Sequence, residues 1–85
     1  MVSFEFTIRD PLGIHARPAG QLVKQAASCS GKITVQKGTR TADLKKIFGL
    51  MNLAIKCNDT IKVIVDGDNE ETEAEKIRSF LEENL

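Results

Sequence analysis

One short run of residues in this chain has the makings of chemistry. Gly13-Ile14-His15-Ala16-Arg17-Pro18 contains the only histidine of the 85 residues, with an arginine two places on. Imidazole serves as a nucleophile, a proton carrier or a metal ligand, or it simply caps a helix. Metal ligation lacks support, because no second His or Cys stands at ligand spacing and the nearest carboxylate in sequence is Asp10. Capping and nucleophilic or proton-carrying roles both stay open on residue type alone.

The flanking pattern favours the nucleophile. Val2, Phe4, Phe6 and Ile8 alternate with Ser3, Glu5, Thr7 and Arg9, the period of a strand with one dry face. Asp10-Pro11-Leu12-Gly13 then reads as a turn. From Ala19 the spacing changes. Ala19, Leu22, Val23, Ala26 and Ala27 recur at helical intervals, and Pro18 fits the first turn, where its missing N–H costs nothing. The helix is therefore expected from about Ala16, with His15 at or beside its N-cap. The positive end of a helix disfavours a protonated ring, so the imidazole is expected to be neutral and nucleophilic. The same helix end offers the free N–H groups of Ala16 and Arg17 to an anion, and the Arg17 guanidinium matches a phosphate in shape and charge. Helix-end stabilisation is worth about 0.3–2 kcal/mol and a charged hydrogen bond about 1.5–3 kcal/mol. Together they can hold a phosphoryl group on His15 without trapping it. Hydrolysis would need a base to activate water, and the motif supplies no obvious one.

The rest of the chain must position that helix end. Ile33 and Val35 alternate with Thr34 and Gln36, Lys37-Gly38 is a turn signal, and Thr39 to Leu44 reads as the return strand of a hairpin. A second helix is expected over Lys45–Ile55, with Ile47, Leu50, Met51 and Ala54 on its apolar stripe. Ile61, Val63, Ile64 and Val65 form the strongest strand and are expected at the sheet centre. After the turn Asp66–Asn69, Asp68 and Glu71 have capping-box spacing. Glu70, Glu71 and Glu73 place negative charge in the first turn of a last helix, which would bury Ala74, Ile77, Phe80 and Leu81. The order β-α-β-β-α-β-α, with strands dry on one face, predicts an α+β open-faced sandwich. Its four-stranded, largely antiparallel sheet would carry three helices on one side.

The second helix carries more apolar surface than one face can bury. Seven of the nine residues from Ile47 to Ile55 are apolar. Either the helix lies in a deep groove, or Ile47, Phe48 and Met51 form an exposed docking patch with Arg17 and Lys24 as a basic rim.

Size and composition agree with one small domain over residues 1–85, burying about 60–65% of its unfolded surface. Lys plus Arg and Asp plus Glu are both 12, so the balance argues against a dedicated nucleic-acid binder. The chain is strongly acidic from Asp66 onward, which leaves its front and middle basic by difference. Cys29 and Cys57 stand apart and read as reduced thiols of a cytoplasmic protein. Glu5, Arg9 and Asp10 interrupt any signal-peptide pattern, and no apolar run approaches the roughly 20 residues of a membrane span. No cofactor is indicated.

The Gly13–Pro18 stretch, the later Lys45-Lys46-Ile47-Phe48-Gly49-Leu50-Met51 segment, the length and the element order together resemble the HPr family. These are the histidine-containing phosphocarriers of the bacterial sugar phosphotransferase system. The resemblance spans essentially the whole chain. It implies that His15 accepts a phosphoryl group on Nδ1 from phosphorylated enzyme I, itself charged by phosphoenolpyruvate. His15 would then donate the group to a histidine of a IIA domain of a sugar permease. It implies that Arg17 steadies the phosphate, and that Ile47, Phe48 and Met51, with Gly20 and Lys24 across from them, dock both partners. A relay of this kind is most simply a monomer that acts without an enzyme's own turnover. Two positions depart from the family's pattern. Lys46 stands where many members have a serine that a regulatory kinase phosphorylates, and it brings positive charge instead. Leu12 stands where a small polar residue often hydrogen-bonds the ring. Two other readings use the same residues: a regulatory module that acts by stoichiometric contact, and a carrier in a parallel regulatory branch.

Overall fold

A computed structural model describes residues 1–85. The strands are β1 (Val2–Thr7), β2 (Lys32–Lys37), β3 (Arg40–Asp43) and β4 (Thr60–Asp66); the helices are α1 (Ala16–Ala27), α2 (Ile47–Asn52) and α3 (Glu70–Asn84). The order is the β-α-β-β-α-β-α expected from the sequence. All strand pairs are antiparallel, and the sheet runs β1-β4-β2-β3. The apolar β4 is therefore internal, paired through Phe4–Val63 on one side and through Ile33–Val65 and Val35–Val63 on the other.

Alternation sets the two faces of the sheet. Phe4, Ile33, Val35, Ile61, Val63 and Val65 are buried beneath the helices, with Leu22 and Ala26 of α1, Leu50 of α2 and Ile77 and Leu81 of α3 above them. Each fully buried Leu, Ile or Val contributes about 1.5–3 kcal/mol relative to exposure. The opposite face is polar, with Glu5 and Gln36 both opposite Lys62 in the ladder. Thr7 and Thr60 join their hydroxyls there at 2.8 Å.

Phe80 of α3 is half-buried rather than buried, and four further local expectations change. First, α2 covers Ile47–Asn52 rather than Lys45–Ile55. Asp43 takes the preceding residues into a turn, its Oδ1 accepting the Lys45 N–H at 2.9 Å and its carbonyl the Lys46 N–H at 3.0 Å. At the other end Ala54 adopts φ 51°, a left-handed conformation that ends the helix. Ala54 is consequently exposed, while its neighbours Leu53 and Ile55 are buried. Second, the capping box is absent. The N-cap of α3 is Asn69, without a side-chain cap, and it is Glu70 that reaches back, accepting the Gly67 N–H at 3.3 Å. Third, Ala27 is exposed at the last position of α1, just beyond the buried Ala26. Fourth, the β2–β3 return strand is shorter than Thr39–Leu44. Leu44 still enters the core, donating its N–H to the Ile33 carbonyl at 2.9 Å.

Cations from the hairpin close α2. Arg40 Nη2 donates to the Asn52 carbonyl at 2.6 Å, and Lys37 Nζ donates to the Ala54 carbonyl at 2.8 Å. Carbonyls at a helix end are unpaired within the helix and favour positive charge. Lys37 also pairs with Asp59 at 3.0 Å. Asp59 in turn accepts the Lys56 N–H, and that bond foremost, then Lys37, holds its carboxyl below the usual carboxylate range.

Gly13 occupies a place only glycine can fill. Its φ is 67°, and a Cβ there would collide with the Ile55 carbonyl oxygen and lie 2.6 Å from Lys56 Cα. Gly13→Ala is expected to destabilise the protein by about 3 kcal/mol or more, because both atoms in the way are backbone. Urea unfolding measures this; a loss under about 1 kcal/mol would mean the crossing is loose.

Glu73 is turned inward from α3 onto the loop between α1 and β2. Its carboxylate accepts the Ser30 N–H at 2.7 Å, the Ser30 hydroxyl at 3.2 Å and the Gly31 N–H at 3.0 Å. The Ser30 amide foremost holds this carboxyl below its ordinary range. A carboxyl depressed in the folded state adds stability above its unfolded pKa and loses it as pH falls through the folded one. Glu73→Gln should therefore destabilise clearly at about pH 7 and much less at about pH 3, read as a flattened acid limb in urea melts repeated across pH.

Candidate functional site

His15 is the N-cap residue of α1, with extended backbone at φ −97° and ψ 177°. Its side chain makes no capping hydrogen bond. The imidazole therefore has no structural task at the helix end, and its side chain is 37% exposed. Its carbonyl does bond the helix, accepting the Ala19 N–H at 2.9 Å. Ala16 and Arg17 sit in the first turn, where N–H groups have no intrahelical acceptor, and Pro18 has no N–H to offer. The first turn of α1 contains no acidic residue. Arg17 is exposed and its guanidinium has no ion pair.

The approach to the ring is built by the turn before it. Asp10 Oδ1 accepts the Leu12 N–H at 2.8 Å, and the Asp10 carbonyl accepts the Gly13 N–H at 2.8 Å. The Arg9 and Asp10 N–H groups donate to the Leu85 main-chain oxygen at 2.6 and 3.0 Å. Asp10 Oδ2 then lies 3.7 Å from His15 Nε2. In the sequence Asp10 reads as a turn former and as the carboxylate nearest His15; the signal for more is an acidic residue opening the turn that delivers the histidine. Leu12 stands out from this turn, 72% exposed.

α2 is brought alongside by α1. A Cβ on Gly20 would lie 3.8 Å from Ile47 Cδ1, so the two helices meet at van der Waals distance there. Ile47 is half-buried at this seam. Phe48 points away from it, 81% exposed, and Met51 is 37% exposed. Lys24, one turn beyond Gly20, is exposed and borders a cleft with Gln21, Lys76 and Phe80 between α1 and α3. Lys46 is the N-cap of α2, exposed and without a side-chain cap. A cation there opposes the helix dipole, where an anion would be favoured.

The clefts of the molecule lie elsewhere, and none is lined by His15. Its ring is presented on an open surface. No group of three His, Cys, Asp or Glu side chains is placed to hold a metal ion. Cys29 is buried and Cys57 partly so; both are free thiols. No helix is long and apolar enough to cross a membrane.

Known proteins share this fold and much of this sequence. The family model for the phosphorylation site of the HPr component of the phosphotransferase system matches residues 2–83. The phosphocarrier protein HPr of Lysinibacillus sphaericus is 41% identical over 83 residues, covering 98% of this chain and 94% of that protein. The solved histidine-containing phosphocarrier protein of Mycoplasma superposes with a TM-score of 0.93 at 32% identity, over 96% of this chain and 93% of that one. The catabolite-repression protein Crh of Bacillus subtilis, solved as a domain-swapped dimer, superposes with a TM-score of 0.78 at 28% identity, over 100% of this chain and 98% of that one. The match over nearly the whole chain, in sequence and in fold, places this protein in the HPr family, the phosphocarriers of the bacterial phosphotransferase system.

Proposed function

We propose that this chain carries a phosphoryl group on Nδ1 of His15, taking it from phosphorylated enzyme I and giving it to the IIA domains of sugar permeases. The observation that carries this reading is the uncommitted imidazole. His15 occupies a helix N-cap yet makes no cap, is open to a partner, and sits beside first-turn N–H groups that attract anions. A regulatory module acting by contact alone would have no use for such a ring.

The step needs little from the protein beyond placement. The Nδ1 lone pair of His15 forms the new N–P bond as the donor histidine's N–P bond breaks, and the donor ring leaves with the bonding pair. The His15 ring keeps its proton on Nε2. The phosphoryl oxygens then meet the Ala16 and Arg17 N–H groups, with the exposed, unpaired Arg17 guanidinium closing over them. Two docked histidines held in line supply most of the rate. The transfer is reversible in kind, so the same groups serve arrival and departure.

Docking is assigned to Phe48, Met51 and Ile47, with Gly20 and Lys24 on α1. Phe48 is a large ring left in water, and such exposure is retained where a partner covers it. A single small face must serve two partners in turn, which suits a cytoplasmic monomer. Lys46 leaves no hydroxyl for serine-directed regulation, so the carrier role stands without that control.

Incubation with enzyme I and labelled phosphoenolpyruvate should place one acid-labile phosphate on the wild-type protein and none on His15→Ala. Equal labelling of the two would remove His15 from the mechanism. Arg17→Ala should slow transfer roughly 10- to 100-fold, as expected for a lost charged hydrogen bond, with unchanged thermal stability. For the patch, Phe48→Ala should raise the KM for the carrier at enzyme I at least about fivefold while the melting temperature moves little. A large drop in melting temperature with normal KM would return Phe48 to the core.

A further inference from the structure

Asp10 is held more firmly than a turn requires. Its N–H donates to the Leu85 main-chain oxygen at 3.0 Å, its carbonyl accepts the Gly13 N–H at 2.8 Å, and Oδ1 accepts the Leu12 N–H at 2.8 Å. These three bonds fix both the backbone and the plane of the carboxyl. With Oδ1 committed to Leu12, Oδ2 is left facing His15 Nε2 at 3.7 Å. The Asp10 side chain is only 25% exposed and pairs with no lysine or arginine. Its one basic neighbour within pairing distance is the imidazole.

That placement acts on the tautomers of the ring. A neutral imidazole carries its proton on Nδ1 or on Nε2, and the group facing one nitrogen decides which. A carboxylate oxygen attracts an N–H at Nε2 and repels a lone pair there. The distance exceeds a direct hydrogen bond, and contacts of this kind tighten when the partner is bound. Once Nδ1 carries a phosphoryl group, Nε2 keeps its proton, and the carboxylate offsets positive charge that develops on the ring.

We propose that Asp10 is a positioning residue for phosphoryl transfer: Oδ2 holds the His15 proton on Nε2 and so presents the Nδ1 lone pair as the nucleophile. The proposal rests on His15 being the phosphoryl acceptor, and its test separates the two.

Asp10→Asn is the informative variant. Its side-chain oxygen can still accept the Leu12 N–H, so the turn survives, but its NH2 group now faces Nε2 and favours a lone pair there. Asp10→Ala loses both the turn bond and the charge. Long-range 1H–15N correlation spectra of the His15 ring, recorded on the free protein with the ring neutral, read the tautomers directly. The ratio of Nε2–H to Nδ1–H is expected to fall roughly two- to fivefold or more in Asp10→Asn, the range for a partly exposed pair. The kcat for phosphoryl uptake from enzyme I should fall with it, at unchanged KM. A wild-type tautomer ratio in Asp10→Asn overturns the proposal. So does a defect seen in Asp10→Ala but not in Asp10→Asn, since that leaves Asp10 only its turn. A protein that takes no phosphate, yet loses its tautomer bias in Asp10→Asn, overturns the carrier assignment while supporting the hold of Asp10 on the ring.

Discussion

The Ile55 carbonyl ties the two functional parts of the molecule together. It receives the Ile14 N–H at 3.0 Å, and its closeness is what denies Gly13 a side chain. Ile14 leads into α1 with His15 as the next residue; Ile55 follows α2 with Phe48 and Met51 one to two turns upstream. One hydrogen bond between two loops therefore sets the spacing between the histidine and the exposed apolar helix. The second loop is itself fixed, by Lys37 on the Leu53 and Ala54 carbonyls and by Asp59 on the Lys56 N–H. A charged hairpin thus braces the loop against which the histidine turn is laid.

The same arrangement explains why so small a chain can leave large apolar side chains in water. Its core is supplied by the dry face of one antiparallel sheet and one stripe from each helix, and Phe48, Met51 and Leu12 are not needed to complete it. Their exposure costs solvation, and in an 85-residue protein the margin of stability is thin. Retaining them is intelligible in a family whose members work by meeting phosphotransferase components. Lys46, at the head of α2, adds a cation where the helix end would prefer an anion, which changes the electrostatic character of that surface without altering the helix itself.

Much of the fold was legible because alternation and helical spacing are local properties. Residues two apart share a strand face and residues three or four apart share a helix face wherever the chain goes. That was enough to order all seven elements, to place β4 inside the sheet and to start α1 at Ala16. It was not enough for the extent of α2 or the capping of α3. The length of α2 is decided by Asp43 before it and by the left-handed Ala54 after it, and Ala54 carries no sequence mark of that conformation. In α3 Glu70, Glu71 and Glu73 stand together in the first turn, and spacing alone does not say which amide each one meets. Tertiary contacts chose among them, giving Glu70 to Gly67 and Glu73 to the Ser30–Gly31 amides.

The candidate site divides in the same way. The sequence by itself determined that the only histidine opens a helix, that Arg17 and two free amides stand beside it, and that the Ile47–Ile55 segment holds more apolar residues than one helix face can bury. Residue type and short-range periodicity fix these, and no distant contact is needed to read them. Only the tertiary structure decided that the histidine leaves the cap unmade, that Gly20 meets Ile47, that Phe48 rather than Leu50 faces water, and that Asp10 Oδ2 looks at Nε2. Each of these depends on where a carbonyl or a side chain far along the chain comes to rest. Burial and hydrogen bonding between remote segments are properties of the packed whole, and no local pattern encodes them.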